Sequence, residues 1–285
     1  MPGRALDLAH WINEREMVRI RKENGDPPPW TDDGNIAHVR YCNVHREDDK
    51  VTKWIAFNWR EPLGGSPLLT LAMVAARMIN WPDTLEYINT APLEQENPAL
   101  FLSSCKDAIW GQRKRGKKAW TSAYTISTCG RAMAKEDYVV DHVLAQVAEK
   151  TWVYDNDNLA SAHERLTMVD GLGSFLAGQV VADLKNTLAH PLQGADDYWS
   201  WSAHGPGSLR GLDAYWNGAF CGRKITPSLY YMAINACYHE VMPHVKDYVG
   251  KIHMQDFQNC LCEFSKYIRV REGSGRVRNT YSASR

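Results

Sequence analysis

The chain of 285 residues has 33 basic and 33 acidic side chains, with 44 % hydrophobic and 23 % charged residues. This balance excludes a disordered or collagen-like chain, and zero formal charge excludes a uniformly cationic nucleic-acid coat while leaving room for a local basic face. No apolar run reaches the roughly eighteen residues of a membrane span, and the start, MPGRALDLAH, has no apolar signal core, so neither a transmembrane helix nor signal-peptide secretion is expected. The seven cysteines are an odd count and are expected to be reduced thiols; Cys260 and Cys262 are too close for a CxxC metal knuckle.

In chain order, Leu8 to Glu23 has helical spacing and ends at GDPPPW, where consecutive prolines forbid a helix interior. Residues 46–60 place Val51, Trp54, Ile55 and Trp59 on one helical face; LLTLAMVAARMI (68–79) is a strongly apolar helix for a core; and Trp81-Pro82-Asp83 starts a short helix. A weaker helix covers 98–110. Five basic residues then fall between Arg113 and Lys118, a polar run around Gly116 that reads as an exposed loop. Tyr124 to Thr128 reads as a short strand or part of a helix, 137–152 as a helix, and 190–208 as a Gly/Asp/Ser/Trp loop. Segments 225–245 and 251–268 are helical in pattern, and the basic, Gly/Ser-rich tail 269–285 reads as extended. Period-two alternation never persists, so the fold class is all-α, a non-repeating set of helices in one domain over 1–285 or in two lobes.

The segment LTMVDGLGSFLAGQVVADL (166–184) is a helix, a tight turn and a second helix. Gly171 and Gly173 let the chain turn sharply, and amides at the start of the second helix, from Ser174 on, suit a phosphate; the alternative is a plain interhelical turn. In glycosylases built on such a hairpin a catalytic Asp follows the second helix. Asp196 and Asp197 fall at roughly that place, while Ser174 and Phe175 stand where lyase members carry Lys. The Asp pair serves either as proton acceptor or metal ligand, or as a helix cap. In GPGSLRGL (205–212) the glycines read as a turn with amides exposed around Ser208 and Arg210, suited to a diphosphate, or as a plain surface turn. Asp256, Asn259, Glu263 and Lys266 share one helix face, which is either solvated or lines a cleft. Arg40, Asn43 and Arg46 lie among aromatics, where a base can stack and its phosphate be held.

Taken together, PPPWTDD (27–33), RYCNVHREDDKVTKW (40–54), the 166–184 segment, GPGSLRGL and QDFQNCLCEFSKYIRVREGSGRVR (255–278) resemble the helical, glycosylase-like domain of phage thymine-hypermodification proteins. That family includes the putrescinyl- and glutamyl-thymine pyrophosphorylases, also described as amino acid:DNA transferases; a related helical domain accompanies the 5-hydroxymethyluracil DNA kinases. The resemblance spans roughly residues 8–281 and implies a helix-hairpin-helix DNA glycosylase-like fold. It implies that a kinase converts 5-hydroxymethyluracil in DNA to a pyrophosphate ester and that the transferase replaces pyrophosphate with glycine, glutamate or putrescine. No GxxxxGK[ST] phosphate loop occurs, which favours the transferase over the kinase.

On that reading, Arg210 stabilises the departing pyrophosphate, with Arg269 or Lys266 next, and Asp196, Asp197 or Glu263 takes the amine's proton. Arg40 and Arg46 hold a donor carboxylate, and Asn43, Asp256 and Asn259 line the pocket. The hairpin (Gly171, Gly173, Ser174) and the basic run (Arg113, Lys114, Arg115, Lys117) contact duplex phosphates. Trp30, Tyr41, Trp199 and Trp201 are candidate stackers for a flipped base. Implied partners are double-stranded phage DNA carrying the pyrophosphorylated base, a free amine or amino acid and a functionally coupled DNA kinase, in the cytoplasm of an infected bacterium, with no membrane. No cofactor is assigned with this scheme; Mg2+ is a candidate counter-ion of pyrophosphate, unless the arginines serve alone. The alternatives are a DNA glycosylase of the same fold and a noncatalytic DNA-binding partner of the kinase.

Overall fold

The computed structural model describes residues 3–124, 126–220, 225–274 and 280–281. It is all-α: among the described residues there is no strand, and the one isolated β-bridge pairs Val39 with Thr280. The α-helices run Ala5–Glu23 (α1), Gly34–His38 (α2), Lys50–Ile55 (α3), Leu69–Ile79 (α4), Pro82–Leu85 (α5), Ala91–Glu94 (α6), Pro98–Lys114 (α7) and Lys135–Asp137 (α8). They continue as Ala145–Ala148 (α9), Leu159–Thr167 (α10), Ser174–Lys185 (α11), Pro206–Tyr215 (α12), Pro227–Val241 (α13) and Met254–Arg271 (α14). Wide π turns, Ala56–Arg60 after α3 and Tyr138–Leu144 between α8 and α9, extend two of them. No described helix is long and apolar enough to cross a membrane.

The helices form two compact units, one from residues 1–49 and 204–285, the other from 50–203. In the first, α1, α12, α13 and α14 enclose Trp11, Tyr215, Tyr230, Phe257 and Phe264, all fully buried. Each such side chain contributes roughly 1.5–3 kcal/mol by leaving water. In the second, all eleven residues of α4 are buried, as its apolar run requires. Burying Arg77 on that helix demands a counter-charge, supplied by Asp183 of α11: Nε donates to Oδ2 at 2.5 Å and Nη2 to Oδ1 at 2.6 Å.

Several local expectations are corrected. The basic run is not all loop: Arg113 and Lys114 close α7, whose cationic end suits the helix dipole, and the chain turns at Gly116 with φ +66°. Tyr124 and 126–128 are neither strand nor helix; Thr125 lies outside the described residues. Residues 206–211 are helical, not a turn. Arg269–Arg271 finish α14 rather than opening a tail; of that tail, 275–279 and 282–285 lie outside the described residues. The six described cysteines are free thiols, and Cys221 lies outside the described residues.

Candidate functional site

Two glycines place the first cluster. Gly207 and Gly211 lie one turn apart on α12, facing α14. A Cβ at Gly211 would stand 2.2 Å from the Leu261 carbonyl oxygen, and one at Gly207 2.7 Å from Cys262 Sγ. These glycines therefore serve close helix packing instead of exposing amides to a ligand. Arg210, between them, is exposed and lines a cleft of about 420 Å³ with Arg269 from the last turn of α14. Arg4, which precedes α1, joins them: its Nε donates to Asn217 Oδ1 at 2.8 Å and its Nη1 to Glu272 Oε1 at 3.0 Å. Arg269 Nε is steadied by the Ser265 carbonyl at 3.2 Å. Three guanidinium groups face two carboxylates, Asp213 and Glu272, so the cleft carries a positive excess. An Arg pair of this kind suits phosphate oxygens.

Glu263 and Lys266 lie on the same helix. Glu263 is 3 % exposed; its Oε2 accepts from the Cys42 amide at 3.3 Å and its Oε1 from the Lys266 ammonium. Burial opposes charge on Lys266, but Glu263 outweighs it and holds the ammonium above the ordinary lysine value. Asp256, expected on the same polar stripe, is also buried, so the two acids of this face are shielded while Lys266 stays exposed. Its carboxylate accepts from the Arg46 amide at 3.0 Å and His253 Nδ1 at 3.1 Å, with His45 Nδ1 at 3.5 Å. Burial pushes Asp256 up, yet these bonds together bring it well below the usual carboxylate range. The Asp256 carboxylate in turn raises His45 to about 9, and His45 Nε2 donates to the Val249 carbonyl at 2.6 Å.

Asn43 uses both ends of its amide internally: Oδ1 accepts from buried Arg15, and Nδ2 donates to the Asp48 carbonyl at 2.8 Å. Arg15 Nε also donates to the Tyr41 and Cys42 carbonyls at 3.2 and 2.9 Å. The Arg46 side chain reaches Glu47, exposed Arg40 lies 5.4 Å from the Tyr281 ring, and Asn259 is half-buried on α14. None of these, nor Asp256, lines the cleft that takes Arg210 and Arg269. Among the aromatic candidates, Tyr41 and Trp201 are core residues at 5 % exposure, whereas Trp199 is exposed and Trp30 half-buried against Tyr281.

In the second unit, α10 and α11 are joined by the turn 168–173. Val169 and Leu172 plug it into the core, and Gln146 clamps it, donating to the Asp170 carbonyl at 3.1 Å and accepting from the Asp170 amide at 3.2 Å. Gly171 has φ +94°, and a Cβ there would meet Tyr138 Oη at 2.3 Å. Gly173 begins α11 with no side-chain cap, and nothing lies within 4 Å of where its Cβ would be. Gly173, Ser174 and Phe175 are all exposed. Asp197 belongs to this unit and caps α10: its two carboxylate oxygens accept from the Leu159 and Ala160 amides at 2.7 and 3.1 Å. Asp196 beside it is exposed.

A second groove in this unit, about 430 Å³, is lined by Arg113, Lys117, Lys118, Trp120, Lys135 and Glu136. Lys135 and Arg4 escape a reading by motif, because each lies apart from any basic run. Among the described residues no cluster of three or more His, Cys, Asp or Glu side chains could hold a metal ion.

The sequence pattern of the family described as "5-hmdU DNA kinase, helical domain" matches residues 4–276. No curated protein and no solved structure matches the chain.

Proposed function

Because the chain belongs to the 5-hmdU DNA kinase helical-domain family, we propose that it is the DNA-holding helical module that works beside such a kinase on DNA carrying 5-hydroxymethyluracil. On this reading α10, its turn and α11 form a helix-hairpin-helix of the glycosylase-like kind. The observation that carries it is the open start of α11: Gly173, Ser174 and Phe175 are exposed where helix amides point outward, and nothing crowds Gly173. A phosphodiester oxygen can approach such a helix end, where amides and dipole both favour negative charge. The test is fluorescence anisotropy with hydroxymethyluracil duplex, together with the rate of a 5-hmdU DNA kinase with and without the chain. Binding that Ser174→Glu weakens, and a kinase rate raised by the chain, support the reading. No duplex binding at low salt and an unchanged kinase rate overturn it.

The shared cleft of Arg210 and Arg269 favours a second reading, the amine:DNA transferase. The amine nitrogen would form a bond to the exocyclic carbon as the bond from that carbon to the ester oxygen breaks, and pyrophosphate would leave between the two guanidinium groups. The amine's proton would pass to a carboxylate of the same unit; Glu263, paired with Lys266, is the candidate. Pyrophosphorylated DNA incubated with glycine, glutamate and putrescine, followed by mass analysis of nucleosides, tests this reading. Free pyrophosphate with an aminated thymine supports it; recovery of the ester intact overturns it.

A further inference from the structure

From Ala108 to Lys135 the chain has seven basic residues and no acidic one, within a sequence whose net charge is zero. Several cations of this unit pair with carboxylates, Arg77 with Asp183, Lys106 with Asp141 and Arg165 with Asp157, as does Arg131 of the stretch itself with Asp170. Around the 430 Å³ groove, aromatic rings take that role. Lys118 Nζ lies 3.9 Å from the Trp81 ring centre, Lys135 Nζ 4.4 Å from Trp120, the Arg115 guanidinium 4.6 Å from Tyr87 and that of Arg113 5.6 Å from Trp110. The one carboxylate lining the groove, Glu136, is buried and pairs with Arg113.

A ring quadrupole fixes a cation without cancelling its charge, whereas a carboxylate does both. Lys118, Lys135 and Arg115 are therefore restrained, which lowers the ordering cost of binding, and still charged, which keeps them available to an anion, whereas Arg113 is also paired with Glu136. Burial lowers the pKa of Lys135, so an arriving anion would restore what desolvation removes. Each of these rings has a cation of this chain against one face and so acts as a post for that cation.

We infer that the groove of Lys117, Lys118 and Lys135 is a second grip on the phosphodiester backbone of duplex DNA, indifferent to base sequence. The inference rests on the DNA-binding reading and adds to it a site separate from the start of α11.

The test compares wild type, Lys117→Ala/Lys118→Ala, Lys135→Ala and Ser174→Glu by anisotropy with two short duplexes of unrelated sequence across a salt series, with thermal midpoints as a folding control. Each lost phosphate contact should lower the slope of log affinity against log salt by about 0.9, so the double variant should lose about 1.8, equally on both duplexes. A slope unchanged in the lysine variants while Ser174→Glu still weakens binding overturns the groove and leaves the hairpin grip standing. A reduced slope in the lysine variants with Ser174→Glu inert supports the groove and removes the hairpin grip. Absence of wild-type binding at low salt overturns both. Selective loss of single-stranded binding in Trp120→Leu, with duplex binding intact in the lysine variants, also overturns the inference.

Discussion

Gly211 lies directly on the backbone of Leu261, so that a methyl group at Gly211 would overlap the Leu261 carbonyl oxygen at 2.2 Å. The obstacle is backbone, and α12 must move off α14 to relieve it. Gly211→Ala should therefore cost about 2–3 kcal/mol despite the better helix propensity of Ala. Gly205→Ala, at a position with nothing within 4 Å, should change stability far less. Urea unfolding of the two variants checks this; equal midpoints would mean that the helices do not approach so closely.

Asp197 holds the amides of Leu159 and Ala160 from across the second unit. Losing a capping carboxylate costs roughly 1–2 kcal/mol, and Asn retains one of the two acceptors. Asp197→Ala should lower stability by that amount and Asp197→Asn by less, as read by thermal unfolding. A variant that unfolds like wild type but loses DNA-modifying activity would return Asp197 to a chemical role.

The parts of the fold that could be read in advance are those whose cause is local. Leu69–Ile79 is apolar at every position but Thr70 and Arg77 and became a fully buried helix. Leu8 to Glu23 has the 3.6-residue period, and the structure carries that helix back to Ala5. What escaped depends on distant partners. Glycines at positions 207 and 211 look alike whether they open a phosphate turn or admit a neighbouring helix, and only α14 decides. Asp256 and Glu263 have the spacing of a solvated stripe; their burial follows from the Arg46 and Cys42 amides, more than 200 residues away. In the basic run the charge was legible, but the posts were not, because Trp81 and Tyr87 lie on other segments from Lys118 and Arg115.

The pair His45–Asp256 makes the first unit sensitive to pH at both ends. In the fold both His45 ring nitrogens face acceptors, the Asp256 carboxylate and the Val249 carbonyl, which favours the protonated ring and raises its pKa from 6.5 to about 9. A raised histidine pKa stabilises fully below 6.5, and that contribution fades as pH rises through about 9. Asp256 is held below its ordinary 3.8, so its contribution is present above that value and is lost as pH falls through the lowered pKa. Stability should therefore decline between pH 6.5 and 9 by on the order of 2–3 kcal/mol, and His45→Gln should remove most of that decline. Unfolding midpoints of both proteins from acid to alkaline pH check it; parallel curves would show that His45 is not the responsible group.

Arg210 and Arg269 reach one cleft from different helices, so their effects should be coupled if a single phosphorylated group lies between them. Both are exposed, and neither replacement should unfold the protein. Each single Ala variant should weaken binding of phosphorylated hydroxymethyluracil duplex about tenfold or more, a charge-assisted bond being worth roughly 1.5–3 kcal/mol, while binding of unmodified duplex stays near wild type. The double variant should lose less than the sum of the singles, because the first loss already leaves the anion poorly held. Titrating the four proteins with both duplexes measures the coupling. Additive losses, or equal losses on unmodified duplex, would assign the two arginines to the general field of the surface and remove the cleft from the proposed chemistry.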